Sequence, residues 1–267
     1  MLSISIVIYS LDILVLSKTI ESIVKSAKKL PSHLNISRLY LIDNGDNEKE
    51  LLTLIAQLSE SSFKIDFYST DKNLGYGQAH NIAIDDTTDK YHLILNPDVV
   101  ISASSLIVGL NYLEQNDEVV AVSPSARDGV SNVQYLAKSY PSLLVFLVRA
   151  IDLRYLENLF THKLGSYELR EMVHNKKPAE VKIISGCFML CKTKALKLAG
   201  GFDQRYFLYF EDFSLSIELN KIGKIMYLPE MKIVHYGGNS SRKGLNHIRM
   251  FLSSMTKFFS RYGWKIW

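Results

Sequence analysis

Along the first hundred residues the apolar positions change period repeatedly. Ser3 to Tyr9 is β-branched and partly alternating, which predicts a strand, and Leu16, Ile20, Ile23, Val24, Ala27 and Leu30 then share one helical face. Arg38 to Ile42 predicts a second strand, ended by the turn signal Asp43-Asn44-Gly45. Leu51, Leu52, Ile55 and Leu58 mark a second helix and Phe63 to Tyr68 a third strand. Asn73 to Ala83 begins with glycines and becomes helical, and Tyr91 to Leu95 is an almost wholly apolar fourth strand that stops at Asn96-Pro97-Asp98. Such βαβα alternation predicts an α/β fold whose central sheet is mostly parallel and covered by helices on both faces. Ligands of open sheets bind at the carboxyl ends of the strands, where Ser10, Asp43 and Asp98 all fall.

The second half is less regular. Ser104 to Leu113 reads as helix, Val119 to Val122 as strand, and Leu143 to Phe160 as a hydrophobic helical insertion carrying Arg149, Asp152, Arg154 and Glu157. Val181 to Leu190 reads as one strand, Gly200-Gly201 as the stop of a short helix, Glu211 to Ile222 as a helix and Ile233 to His235 as a short last strand. In the tail Ile248, Phe251, Leu252, Met255, Phe258, Phe259, Tyr262 and Ile266 fall on one helical face. The simplest organisation is one domain over residues 1–244 followed by a basic amphipathic helix over 245–267.

Charge sharpens the reading of that tail. The net charge is +4, but Tyr236 to Trp267 holds six Lys/Arg and no acid, which leaves 25 basic against 27 acidic residues elsewhere. The basicity is local, which speaks against a dispersed nucleic-acid-binding surface. Both tryptophans, Trp264 and Trp267, close the chain. A basic amphipathic helix ending in tryptophans suits the headgroup layer of an anionic membrane; packing on the domain is the alternative. No run of about 18 uncharged apolar residues exists to span a bilayer. The N-terminus reads as a strand and not as a signal peptide. Cys187 and Cys191, in an apolar run, suit buried thiols. The expected address is the cytoplasm, peripheral to the inner face of the membrane.

The candidate chemistry lies in short polar segments. The first βα turn, Tyr9-Ser10-Leu11-Asp12, has no glycine and the chain has no phosphate loop ending in Gly-Lys-Ser/Thr, so both common nucleotide motifs are missing. Asn96-Pro97-Asp98 is either an ordinary turn or a carboxylate placed to hold a divalent cation. Glu211-Asp212 follows an aromatic run and opens a helix, so it is either an N-terminal cap or a general base whose pKa desolvation raises. His235 is either a packed residue or a ligand at the start of a Gly/Ser loop in which Arg242 and Lys243 could close over an anion.

In sequence order these segments resemble the family 2 inverting glycosyltransferases of the GT-A fold, in particular the rhamnosyltransferase-like branch that builds bacterial surface polysaccharides. The matching stretches are Ser5 to Ser10, Leu41 to Gly45, Asn73 to Asn81, Leu95 to Asp98, Ser185 to Leu190, Gly200 to Asp203, Tyr209 to Asp212 and the His235 loop. The resemblance implies a nucleotide-binding half over 1–100 and an acceptor and catalytic half over 101–244. Tyr9 and Ser10 would line the nucleotide site, Asp43 with Asn44 would meet the pyrimidine base, and Asn73, Gly75, Tyr76, Gly77 and Asn81 would wrap nucleotide and sugar. Asn96 and Arg242 would contact the donor, Asp98 would hold Mg2+ or Mn2+ with His235 as a further contact, and Asp212, with Glu211 beside it, would be the catalytic base. Two positions depart from the pattern: Asn96 stands where many members have a first Asp, which weakens metal affinity, and Lys138 where Arg is expected.

The implied reaction needs one carboxylate. A nucleoside diphosphate leaves as a stabilised anion, so only the acceptor hydroxyl has a proton to lose, and a single displacement inverts the anomeric carbon. The implied donor is dTDP-β-L-rhamnose, with another UDP- or dTDP-sugar as alternative, and the implied acceptor is a polyprenyl-diphosphate-linked saccharide. A catalytically idle, membrane-associated assembly module is the alternative of a different class.

Overall fold

The computed structural model describes residues 1–58, 62–146, 160–237 and 244–266. Strands β1 (Leu2–Ile8), β2 (Ile36–Asp43), β3 (Lys64–Ser69) and β4 (Tyr91–Leu95) pair in parallel. Helices α1 (Ile13–Ala27), α2 (Glu48–Gln57) and α3 (Tyr76–Asp86) connect them. Every residue of β1 is buried, because both of its faces are covered. Ile4, Ile6 and Ile8 join the main core, while Ser3 and Ser5 point the other way into a polar network with His92, His80 and Thr87. Burial lowers the pKa of both histidines, His92 to about 3, so they serve as neutral hydrogen-bonding groups.

Beyond β4 the sheet becomes mixed. After β5 (Val99–Ile101), α4 (Ser105–Gln115), β6 (Val119–Arg127), β7 (Val133–Gln134) and β8 (Ala137–Lys138) come α5 (Thr161–Tyr167) and α6 (Arg170–His174). Next are β9 (Ala179–Val181), β10 (Ile183–Ile184), β11 (Phe188–Lys192), α7 (Thr193–Leu198), α8 (Glu211–Asn220), β12 (Lys224–His235) and α9 (Leu245–Tyr262). The strand order is β3-β2-β1-β4-β11-β6-β12-β5, with β7 on β6 and β9 on β12, while β8 and β10 form a separate pair. The mostly parallel character expected of the sheet belongs to its first half: β11 lies antiparallel between β4 and β6, and β12 runs parallel to β6 but antiparallel to β5. The carboxyl ends of β1, β2, β4 and β12 and the start of β11 therefore share one edge.

Two expected elements change. The single strand expected over Val181 to Leu190 is three pieces, interrupted at Ser185-Gly186-Cys187, because these amides bond elsewhere: Ser185 N–H donates to Leu136 O at 2.9 Å and Gly186 N–H to Asp212 Oδ2 at 2.9 Å. The short strand expected at Ile233 to His235 is the end of twelve-residue β12. Its ladder shifts register between Leu228 and Lys232, where Pro229 supplies no N–H.

The helix expected in the tail forms as α9, and its apolar face is divided. Phe258 and Phe259 are fully buried. With Phe251, Met255 and Tyr262 they pack against Tyr140, Tyr206, Tyr209, Phe210 and Phe213. Ile248 and Leu252 remain about half exposed at 52% and 49%, whereas Ile266, expected on the same face, lies beyond the helix, which ends at Tyr262 where Gly263 takes φ 101. Among the described residues no helix is long and apolar enough to cross a membrane. The centre of the Leu143 to Phe160 insertion, with Arg149, Asp152, Arg154 and Glu157, lies outside the described residues, as does Trp267.

Candidate active site

At the carboxyl end of β2, Asp43 is fully buried and spends its carboxylate on its own loop. It accepts from Gly45 N–H (3.1 Å), Asn47 N–H (2.8 Å) and Asn47 Nδ2 (2.9 Å). Asn44 ties that loop to the next: its Nδ2 donates to Asn73 Oδ1 (2.9 Å) and Gly75 O (3.2 Å), and its Oδ1 accepts from Leu74 N–H (2.8 Å). Gly75, at φ 83 and ψ 173, occupies backbone space open only to glycine, and a Cβ there would lie 2.2 Å from Phe207 O. Gly77 packs on Phe202, whose Cβ would lie 2.7 Å from an added Cβ. Asn81 holds Phe202 through both its amide and its carbonyl at 2.8 Å. Tyr9 and Ser10 stay exposed at the mouth. Asn44, Asn73, Gly75, Gly77 and Asn81 thus shape one continuous loop system.

A second cluster lies at the ends of β4, β11 and β12. Asn96 N–H donates to Cys187 O at 2.9 Å, which fixes the Asn96-Pro97-Asp98 turn against the start of β11. Asp98 Oδ1 is buried, has no hydrogen-bond partner among the described residues, and lies 3.5 Å from His235 Nε2. Gln134, which the sequence offered no reason to select, sets the state of that ring. Its Nε2 donates to the carbonyls of His235 and Gly237, both at 3.1 Å, which turns its Oε1 to His235 Nδ1 at 2.8 Å. In the neutral imidazole the proton therefore sits on Nδ1, and Nε2 presents its lone pair toward Asp98. Gly237 is the other residue missed: a Cβ would meet Asp98 Oδ2 at 2.2 Å and His235 Nε2 at 3.1 Å, so the present Asp98 rotamer requires glycine there. Arg242 lies outside the described residues.

Asp212 comes to the same edge. It sits in the first turn of α8, whose N-cap position is Phe210, and its Oδ1 accepts from Phe213 N–H at 2.9 Å, so one carboxylate oxygen satisfies a free amide of the helix start. Its Oδ2 accepts from Gly186 N–H at 2.9 Å, reaching across to the break before β11. Tyr76 closes the space between the acids: its hydroxyl donates to Gly186 O at 2.7 Å. Burial raises the Tyr76 phenol well above its ordinary pKa, and the charges of Glu211, Asp212 and Asp98 add to that. Cys187 is likewise pushed up to about 12, by burial and by Asp98 and Asp212. Desolvation raises both Glu211 and Asp212, Asp212 adding its charge to the effect on Glu211. Glu211 is buried, and its Oε2 has no hydrogen-bond partner among the described residues. Lys138, 4.0 Å from Glu168, acts in the opposite sense on Asp212.

The fold thus sets a loop system beside the half-buried Asp98, whose Oδ1 faces the His235 imidazole, and a desolvated aspartate at the same edge. Solved structures share this architecture. The crystal structure of GalNAc-T7 with UDP, GalNAc and Mn2+ superposes with TM-score 0.64 at 15% identity, over 93% of this chain and 47% of that one. The structure of S. aureus TarS 1–349 gives 0.59 at 11%, over 98% and 72%. The fold is that of the GT-A nucleotide-sugar glycosyltransferases.

Within that class the chain belongs to glycosyl transferase family 2, whose profile matches residues 3–198. Asp212 and His235 lie beyond the matched segment and join the site through folding. Rhamnosyltransferase WbbL of Escherichia coli K12 is 26% identical over 245 residues, 88% of each protein. N-acetylglucosaminyl-diphospho-decaprenol L-rhamnosyltransferase of Mycobacterium tuberculosis is 29% identical over 185 residues, 64% of this chain and 59% of that protein.

Proposed function

We propose that this chain moves L-rhamnose from dTDP-β-L-rhamnose to a polyprenyl-diphosphate-linked saccharide, with Asp212 as the base. The reading is carried by the contact of Asp212 Oδ2 with Gly186 N–H, which holds a desolvated carboxylate at the edge where Asp98 and His235 lie. The two rhamnosyltransferase relatives support the sugar, and the second supports the lipid-linked acceptor. Residues 1–244 form the catalytic part, and 245–267 are a C-terminal segment that begins with α9.

The donor groups at Asp98 and His235 fit a divalent cation: one buried, unpartnered carboxylate oxygen faces one imidazole lone pair oriented by Gln134. Asp98 and His235 would hold Mg2+ or Mn2+, which when bound supplies positive charge opposite the departing diphosphate. The remaining steps belong to the chain. The Asn44–Asn73–Gly75 loops hold the nucleotide, with Tyr9 and Ser10 at the opening and Asn81 bracing the helix behind. Asp43 acts on the base through the loop it shapes. Asn96 and Arg242 contact the donor. Asp212 takes the proton from the acceptor hydroxyl as it attacks the anomeric carbon, and the configuration inverts in one displacement.

The test uses purified protein with dTDP-β-L-rhamnose, Mg2+ or Mn2+, and N-acetylglucosaminyl-diphospho-polyprenol, with the product identified by mass spectrometry and its anomeric configuration by NMR. A rhamnosylated lipid of inverted configuration is expected. Transfer only from a UDP-hexose would refute the sugar. Neither transfer nor metal-dependent donor hydrolysis with any nucleotide sugar would refute the enzyme.

For the surface, we infer peripheral contact with the cytoplasmic side of an anionic membrane through the part of α9 left uncovered and the residues that follow it. Ile248 and Leu252 are exposed beside the exposed Arg249, and Trp264 and Ile266 beside Lys265. Apolar side chains flanked by cations suit a headgroup layer. Ile248→Asp/Leu252→Asp is expected to lower partition onto phosphatidylglycerol vesicles on the order of 10-fold, a loss of buried apolar area and added repulsion. Partition equal to wild type defeats this role.

A further inference from the structure

The segment 201–210, between α7 and α8, delivers Glu211 and Asp212 to the site, and most of the bonds that tie it to other elements come from two helices. On one flank stands α3: Asn81 holds Phe202, Gln78 Nε2 donates to Gln204 O at 2.8 Å, and Tyr76 N–H donates to Phe207 O at 3.2 Å. On the other stands α9. Lys257 Nζ donates to Arg205 O at 2.8 Å, Ser254 Oγ donates to Leu208 O at 2.8 Å, and Arg261 pairs with Asp203. The Tyr209 hydroxyl lies 3.0 Å from His247 Nδ1. The α9 contacts are thus spread along the strap, from Asp203 to Tyr209.

The strap ends under strain. Tyr209 and Phe210 have φ of 70 and 66, consecutive left-handed residues with full side chains. Such a conformation is costly for residues with a Cβ and persists only where the surroundings over-determine it. Phe210 is 96% buried, its ring centroid 5.2 Å from Phe258 and 5.3 Å from Phe251, both on α9. Asp212 follows two residues later and meets Gly186 N–H only because the chain turns there.

We propose that α9 is a positioning element for Asp212, with Ser254 and Lys257 as positioning residues that fix the strap by its carbonyls. This rests on the reading of Asp212 as the base. The helix then has two separate faces: the one bearing Ile248 and Leu252 is free for a surface, while the one bearing Ser254 and Phe258 sets the catalytic geometry. Neither Ser254 nor Lys257 touches substrate, so their loss should act on turnover and leave donor binding alone.

The experiment compares the full-length Ser254→Ala/Lys257→Met variant with wild type, Lys257→Arg and Asp212→Asn. The assay uses dTDP-β-L-rhamnose and N-acetylglucosaminyl-diphospho-polyprenol, with dTDP affinity by calorimetry and Tm recorded for each. A displaced base is expected to lower kcat about 10-fold, with donor KM and dTDP affinity within about twofold and near-normal turnover restored in Lys257→Arg. A folded double variant with wild-type kcat, or one in which kcat and dTDP affinity fall together, overturns the proposal. If the double variant is unfolded at assay temperature, Lys257→Met alone, an exposed position, is held to the same criteria. An inactive Asp212→Asn beside a normal double variant refutes only the positioning role, whereas an active Asp212→Asn refutes the base itself.

Discussion

Asp212→Asn is expected to lose on the order of 10²-fold or more in turnover while binding dTDP as wild type does. The substitution is nearly isosteric, and the side-chain carbonyl of Asn can still accept from Gly186 N–H, which keeps the tie across to the start of β11. What it loses is the capacity to take a proton, together with the bond that Phe213 N–H donates to the second carboxylate oxygen at 2.9 Å. The pH profile gives a second readout. Desolvation raises Asp212 from the usual carboxylate value, and the base works ionised, so kcat should fall on the acid side through a pKa above that of an ordinary aspartate. Glu211 is raised as well, by burial first and then by Asp212. A carboxyl raised in the folded state adds stability below its unfolded pKa and loses it as pH rises through the folded one. Glu211→Gln should therefore lessen the loss of stability toward neutral pH, as read by Tm across pH 4 to 8. Turnover in Asp212→Asn near that of wild type would refute the base, and an acid limb at or below the ordinary value would refute its desolvation.

The parallel half of the sheet could be read along the chain because each signal there is local. Tyr91 to Leu95 is an apolar run closed by Asn-Pro-Asp, and the strand has those bounds. The later strands depend on partners far away. The break before β11 exists because Gly186 bonds Asp212, 26 residues on, and hydrophobic periodicity has no access to that. Pro229 disguised β12 for a similar reason: a proline demotes a strand unless the ladder shifts around it, as it does here. The site shows the same division. Asp98, Asp212 and His235 are marked by their residue types at element ends. Gln134 acts on His235 from 101 positions away and has no mark of its own. Asp43 shows the converse, since an Asp-Asn-Gly turn offers ligand chemistry and turn chemistry alike, and its carboxylate is bonded to its own loop. In α9 the amphipathic period was legible, but not that aromatic residues from Tyr206 to Phe213 would claim much of its apolar face.

Asp98→Ala is expected to cost on the order of 10²–10³-fold in turnover, the scale of removing one preorganised stabiliser of developing charge. Two features make the loss local. Asp98 Oδ1 has no hydrogen bond to break among the described residues, and the backbone at Asp98 is held independently, its carbonyl accepting from Tyr236 N–H at 3.0 Å. The fold should therefore survive, and Mn2+ titrated calorimetrically against protein saturated with dTDP should lose affinity in step with activity. Gly237→Ala reaches the same group without changing a ligand. Its Cβ would sit 2.2 Å from Asp98 Oδ2 and 3.1 Å from His235 Nε2, so the carboxylate must rotate away. Both variants should weaken Mn2+ binding, whereas Asp212→Asn should not, because Asp212 is bonded to Gly186 and not to the Asp98–His235 pair. If Mn2+ binds Asp98→Ala as tightly as wild type, the cation is held elsewhere, and the unpartnered oxygen of Asp98 needs another explanation.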